Sequence, residues 1–118
     1  MNRAIALLFL SLLPLCAKAE DKSITVEWLY SACQAPQGSG HQMYCIAYVR
    51  GIVDTLLVNS ELLKDNKPLR AEMALCGTIS NAAAVQAFKN WAEKHPEAWS
   101  QPMVAGVAVS LRELWGCN

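Results

Sequence analysis

Apolar residues recur three and four positions apart along most of the chain, which is the spacing of one face of an α-helix. No stretch alternates apolar and polar residues for long enough to predict a β-strand. Four amphipathic helices joined by short loops can bury their apolar faces together, so the pattern predicts an all-α fold, a small four-helix domain. The predicted helices span about residues 23–32, 41–63, 81–94 and 101–115, with a short helical turn from Pro68 to Leu75.

Each predicted helix carries a stripe of residues that we expect to face the core. Helix by helix, the stripes are Ile24, Trp28, Leu29 and Ala32; Cys45, Tyr48, Val49, Ile52, Leu56 and Leu63; Val85, Phe88, Trp91 and Ala92; Val104, Val107, Ala108, Leu111, Leu114 and Trp115. Local signals mark the helix ends. Thr78 or Ser80 can cap the third helix, Ser100 can cap the fourth, and Gly116 follows its last turn.

The first 19 residues predict a secretory signal peptide. Arg3 precedes the apolar run AIALLFLSLLPLCA, and Ala17-Lys18-Ala19 supplies a cleavage site after Ala19. The mature chain is then residues 20–118, long enough for one small domain. No second run of about 20 apolar residues follows, so we expect no membrane span after cleavage.

Cysteine number and spacing predict covalent crosslinks in this exported chain. Cys16 belongs to the leader, and the even set Cys33, Cys45, Cys76 and Cys117 predicts two disulfides. Four cysteines allow three pairings. A simple up-down bundle favours Cys33–Cys45 and Cys76–Cys117, because the corresponding helix ends then meet. Two closures would add several kcal/mol of stability to a small core.

Charge and motif content argue against several classes of function. The predicted mature chain has eight basic and ten acidic residues, without the basic stripe that nucleic-acid binding requires. His41 and His95 lie 54 residues apart, and CxxC, HxxxH and HExxH spacings do not occur. A G-x-S-x-G nucleophile motif is missing as well. We therefore expect no metal, no cofactor and no enzymatic activity.

The segment CIAYVRGIVD places Cys45, Tyr48, Gly51 and Asp54 at three-residue steps. This spacing could indicate a catalytic face, a metal site or a packing device. We interpret Gly51 as a close helix–helix contact and Tyr48 as a core aromatic whose hydroxyl needs a partner. Asp54 can either pair with Arg50, four residues earlier, or act as a buried hydrogen-bond acceptor.

The triplet His95-Pro96-Glu97 predicts the turn between the last two helices. Pro96 ends one helix, because the residue before a proline is pushed out of the helical region. Glu97 then lies in the turn, and His95 is expected to cap the carbonyl groups at the end of the helix. The interpretation is structural rather than catalytic.

These motifs together resemble the Rap/Tai family of immunity proteins. The resemblance rests on Cys33, on C-x-x-Y-x-x-G-x-x-D followed about 40 residues later by His-Pro-Glu, on Cys76, and on the closing L-x-x-L-W-G-C. It covers the chain from about Trp28 to Cys117. It departs where Gly77 and Gly116 stand near cysteines that the family usually flanks with proline.

The resemblance implies a small, all-helical periplasmic protein that protects a cell from peptidoglycan amidases delivered by type VI secretion. It also implies a homodimer that inserts a protruding loop into the groove of the amidase and occludes its active site. The polar segment 60–72 is the predicted counterpart of this loop, with candidate contacts Lys64, Asp65, Asn66, Lys67 and Arg70. The same segment is equally consistent with a solvated connector.

Two other functions remain open from the sequence. Periplasmic acid-stress chaperones of the HdeA type are also small, helical and disulfide-bonded. They loosen at low pH, whereas two disulfides and four tryptophans suggest a tighter core in this chain. A structural envelope protein without any toxin partner is the third possibility.

Overall fold

The computed structural model describes residues 24–118, and the predicted signal peptide, residues 1–19, lies outside the described residues. The described chain forms α1 (Val26–Cys33), α2 (Gly40–Leu62), α3 (Lys67–Met73), α4 (Asn81–Lys94) and α5 (Met103–Trp115). A 3₁₀ turn, Pro96–Ala98, links α4 to α5. The all-α prediction is confirmed. The turn predicted after Pro68 is a full helix, so this part of the chain has five α-helices instead of four.

Short polar side chains start four of the five helices, as local sequence rules require. Thr25, Ser39, Asn66 and Ser80 each accept a hydrogen bond from the backbone N–H three residues further on. The cap predicted at Ser80 is therefore confirmed. The cap predicted at Ser100 is wrong, because α5 begins after Pro102 without a side-chain cap.

The segment before α5 accepts backbone hydrogen bonds from the first turn of α1. The backbone N–H of Val26 donates to the carbonyl of Gln101 at 2.9 Å, and that of Glu27 donates to the carbonyl of Trp99 at 3.0 Å. These carbonyls satisfy N–H groups that the first turn of a helix leaves without partners. Residues 99–101 thus form a turn whose carbonyls cap α1, and Ser100 lies in this turn instead of at the start of α5.

The core lies between α1, α2, α4 and α5, while α3 packs against the end of α2. Its largest fully buried side chains are Phe88, Leu29, Leu75, Leu111, Val26, Val49, Val53 and Val107. Three residues predicted to be buried are instead exposed: Ile24, Val104 and Leu114. In α5 the buried face comprises Met103, Gly106, Val107, Ser110 and Leu111.

Within the described chain the close helix contact is formed by Gly106, not by Gly51 as predicted. A Cβ atom on Gly106 would lie 2.6 Å from Cγ2 of Val26 and 3.1 Å from Cζ3 of Trp91. Gly51 is exposed, and a Cβ atom there would meet nothing within 4 Å. The missing side chain at Gly106 allows α5 to approach α1 and α4 closely.

Both favoured disulfides are confirmed. Cys33 pairs with Cys45, and Cys76 pairs with Cys117, each with 5.1 Å between the Cα atoms. The first bond closes the turn between α1 and α2. The second joins the segment after α3 to the end of α5. Within residues 24–118, no helix is both long enough and apolar enough to cross a bilayer.

Candidate functional site

The segment predicted as a loop, residues 60–72, is mostly helical. It contains the last turn of α2, a link at residues 63–66 and most of α3. We call residues 63–73 the α2–α3 corner. Because the link is short and joins two packed helices, this corner is held in place more firmly than a long open loop would be.

Two of the five predicted contact residues are engaged within the fold. Asn66 caps α3 by accepting a hydrogen bond from the N–H of Leu69 at 3.2 Å. Nε of Arg70 donates to the carbonyl of Ser60 at 2.9 Å, and its Nη2 donates to Sγ of Cys76 at 3.2 Å. Arg70 therefore holds α3 against α2 and the nearby disulfide.

The remaining predicted contacts point to solvent at the corner. Lys64, Asp65 and Lys67 are all exposed. Met73 is also 48% exposed, and its carbonyl accepts a 2.7 Å hydrogen bond from Nδ2 of Asn59. The corner thus offers a protein partner an exposed methionine, a residue enriched at interfaces, as well as charged side chains of the kind found at an interface rim. The sequence did not single out Met73, because it lies one residue beyond the predicted segment 60–72, which was chosen for its polarity.

A second candidate binding surface, besides the α2–α3 corner, runs along α2. Tyr44, Tyr48, Gly51, Thr55, Val58 and Leu62 follow one another at steps of four, three, four, three and four residues. We call these six residues the α2 seam. Its spacing is that of the a and d positions in a coiled coil, where one helix packs along another. Val58 and Leu62 are 56% and 74% exposed, although the opposite face of α2 already fills the core.

The two tyrosines form the amino-terminal end of the α2 seam. Their rings are stacked, with centroids 6.0 Å apart and an angle of 10° between planes. Tyr48 packs against the core but is only half-buried, so the prediction of a core aromatic is confirmed in part. Burial raises the pKa of its phenol above the ordinary value, and the neighbouring Tyr44 raises it further. The seam thus begins with a stacked aromatic pair in which Tyr48 is half-buried and Tyr44 is exposed.

Asp54 is a surface ion-pair residue. Its Oδ1 lies 2.5 Å from Nη2 of Arg50, and its side chain is 54% exposed. Nη1 of Arg50 also donates to the carbonyl of Ile79 at 3.3 Å. The pairing with Arg50 is confirmed, and the alternative of a buried acceptor is wrong.

The His95-Pro96-Glu97 turn lies between α4 and α5, as predicted. The imidazole does not cap helix carbonyls, which is a correction: its Nδ1 lies 2.8 Å from Oε1 of Glu97. The ring also packs on Trp91, with centroids 4.8 Å apart. The hydrogen bond from His95 lowers the pKa of the Glu97 carboxyl, which is fully exposed. The backbone N–H of His95, not its ring, donates to the carbonyl of Ala92.

Two open grooves mark the surface of the described chain. One, of about 630 Å³, lies beside Trp28 and His41. The other, of about 690 Å³, lies beside Arg112 and Cys117. Residues 24–118 contain no cluster of three His, Cys, Asp or Glu side chains that could hold a metal ion. The surface features with a clear arrangement are therefore the α2 seam and the α2–α3 corner, and both suit protein binding.

Comparison with known proteins identifies the family. The family model described as Rap1a immunity proteins matches residues 25–117, which is nearly all of the described chain. No curated protein and no solved structure gives a significant match. The match favours an immunity role, meaning binding of a cognate type VI effector, over an acid-stress chaperone or a structural envelope protein. The chain belongs to the family of Rap1a immunity proteins.

Proposed function

We propose that this protein is a periplasmic immunity protein that binds a type VI peptidoglycan amidase and occludes its active site. The family match over residues 25–117 is the observation that carries the proposal. The predicted signal peptide, with cleavage after Ala19, would deliver the mature chain to the compartment where such an amidase acts. Inhibition is by binding, and the protein itself is not an enzyme.

The α2–α3 corner is the proposed contact with the effector. Lys64, Asp65 and Lys67 are exposed at the start of the corner, and Met73 is exposed at its end. Asn66 and Arg70 hold the corner in one conformation through bonds to the backbone of Leu69 and Ser60. A contact surface that is rigid before binding loses less conformational entropy when the complex forms. Asn66 and Arg70 therefore support the surface instead of forming it.

The α2 seam is the proposed homodimer contact. If two copies of α2 pair antiparallel about a two-fold axis, Gly51 faces Thr55 at the centre, Tyr48 faces Val58, and Tyr44 faces Leu62. Small residues at the centre let the helix backbones approach, and each outer pair places an aromatic ring on an aliphatic side chain. At a rise of 1.5 Å per residue the contact is roughly 27 Å long.

Charge is compatible with this pairing. In the antiparallel arrangement Arg50 of one copy lies near the centre, close to Asp54 of the other, and these residues already form an ion pair within each copy. Residues of opposite charge near a two-fold axis can exchange partners without placing like charges together. The α2–α3 corners then lie at the two ends of the paired helices, where both remain free to bind.

The effector proposal is tested with a type VI peptidoglycan amidase, taken from the gene beside this one where that gene encodes such an enzyme. Residues 20–118 are purified, and release of peptide from peptidoglycan is measured as the protein is added. We expect tight inhibition that weakens at least tenfold in the double variant Lys67→Glu with Met73→Asp. The matched control is Lys94→Glu, which changes an exposed lysine on α4 and should inhibit normally. If the unaltered protein does not inhibit at micromolar concentration, the amidase proposal is wrong.

The dimer proposal is tested separately by sedimentation velocity. We expect Leu62→Asp to shift the protein from dimer to monomer, because it places a charge in the apolar contact. Leu114→Asp is the control, since Leu114 is 64% exposed on α5, away from the seam. A dimer that survives Leu62→Asp, or a monomeric unaltered protein, contradicts the assignment of the α2 seam.

A further inference from the structure

The two disulfides lie in different environments. Cys33 and Cys45 belong to the buried core, with exposures of 6% and 0%. Cys76 is half-buried, and Cys117, although only 4% exposed, borders the open groove that is also lined by Ala71, Arg112 and Gly116. Access is one of the factors that set the rate of thiol–disulfide exchange. An external thiol can therefore approach the Cys76–Cys117 bond, which we call the outer disulfide, through half-buried Cys76 and the groove beside Cys117, whereas both residues of the other disulfide lie in the core cluster.

A positive charge contacts one sulfur of the outer disulfide. Nη2 of Arg70 lies 3.2 Å from Sγ of Cys76, and its Nε is anchored to the carbonyl of Ser60 at 2.9 Å. A nearby cation stabilises a thiolate and lowers the pKa of the thiol. A thiol of lower pKa is a better leaving group in exchange. The guanidinium thus favours departure of the Cys76 sulfur when the bond is broken.

We propose that Cys76–Cys117 is a reactive disulfide that exchanges with dithiols, while Cys33–Cys45 is a permanent crosslink. A thiolate of the dithiol attacks Sγ of Cys117, the S–S bond breaks, and Cys76 leaves as a thiolate beside Arg70. The second thiol of the dithiol then attacks the mixed disulfide and releases Cys117. Two electrons pass to the protein, and the dithiol becomes a disulfide. The reactivity of this disulfide does not depend on effector binding, although Arg70 contributes to both proposed sites.

The fold is built to survive this reaction. Apart from the disulfide, the backbone N–H of Cys76 donates to the carbonyl of Trp115 at 2.8 Å, and that of Leu75 donates to Leu56 at 3.0 Å. Leu75 is fully buried and anchors the segment in the core. Opening the bond therefore loosens α3 and the chain end without removing the core contacts. The reaction can then be reversed by oxidation.

The rate difference is tested on folded residues 20–118 with limiting dithiothreitol, alkylation of free thiols and mass spectrometry. We expect Cys76–Cys117 to open at least tenfold faster than Cys33–Cys45, and the two rates to converge in concentrated urea. In a parallel reaction with the monothiol 2-mercaptoethanol, whose mixed disulfide cannot cyclise, acid quenching should trap the adduct on Cys117. Equal rates in the folded protein, or an adduct on Cys76, would overturn the proposal.

The role of Arg70 needs a measurement that a loosened helix does not mimic. In the Cys117→Ser variant the Cys76 thiol is free, and its ionisation is followed by absorbance at 240 nm. We expect a pKa below the ordinary value of about 8.5. Adding Arg70→Gln should return it toward that value, while Arg70→Lys, which keeps the charge, should not. An unchanged pKa in Arg70→Gln refutes the leaving-group argument.

Discussion

Replacing Gly106 by alanine tests the packing of the core most directly. The new methyl group would lie 2.6 Å from Cγ2 of Val26, about 1 Å inside the usual carbon–carbon contact of 3.5–4.0 Å. Val26 and the neighbouring Phe88 are fully buried, and a valine in a helix has one strongly preferred side-chain rotamer. The valine cannot turn away, so the helices must separate.

The expected loss in the free energy of unfolding of Gly106→Ala is the difference between two effects. Overpacking a core of this kind costs about 1–3 kcal/mol, and a contact this short belongs at the upper end. Alanine recovers about 1 kcal/mol over glycine within a helix. The net loss of about 2 kcal/mol corresponds to a decrease in Tm of roughly 8–16 °C for a domain of about 100 residues.

Gly51→Ala is the matched control in thermal unfolding followed by circular dichroism. Gly51 also lies inside a helix, but a methyl group there meets nothing within 4 Å. At concentrations where the protein is monomeric, we expect Tm to rise by about 4–8 °C, from the gain in helix propensity alone. A Gly106→Ala protein as stable as the unaltered one would show that α1 and α4 can yield, and would refute the reasoning.

Three further predictions concern single side chains. Glu97, observed by NMR, should titrate below its ordinary pKa of 4.5, and His95→Gln should remove this shift because the hydrogen bond is lost. Since the folded pKa is lowered, any stabilisation by Glu97 is present above pH 4.5 and disappears as the pH falls through the folded value. Tyr48 should ionise above pH 10 in ultraviolet difference spectra, and Tyr48→Phe should remove that component. Its raised pKa favours the fold below pH 10, and this contribution is lost as the pH rises through the folded value. Ser80→Ala should cost about 1 kcal/mol in urea unfolding, because the N–H of Ala83 loses its cap, whereas Ser80→Asp should retain most of the stability.

Features that depend on local chemistry could be predicted from the sequence. Helix limits follow from caps such as Ser80 and from Pro96, whose effects act within a few residues. The disulfide pairing followed from the order of the helices, because each cysteine lies close to a helix end. Arg50 and Asp54 are four residues apart on one helix, and this spacing alone brings them together.

Features decided by packing between helices could not be predicted in the same way. Gly51 and Gly106 both lie inside predicted helices, and only the approach of α1 distinguishes them. In α5 apolar residues occupy more than one face, so periodicity alone could not show that Val104 would be exposed. Arg70 lies in a polar segment, yet its guanidinium donates hydrogen bonds to the carbonyl of Ser60 and to Sγ of Cys76. Both partners lie outside α3, so the spacing of residues along that helix does not indicate these contacts.

The two disulfides also divide the chain into closed and open parts. Residues 33–45 form one covalent ring and residues 76–117 form another, with sequence separations of 12 and 41. Residues 46–75, which include most of α2 and all of α3, lie in neither ring. Insertions or deletions in the link between these helices therefore leave both ring sizes unchanged, and lengthening a surface loop costs little entropy. The proposed recognition surface is thus the part of the chain that can diversify while the crosslinked frame stays the same.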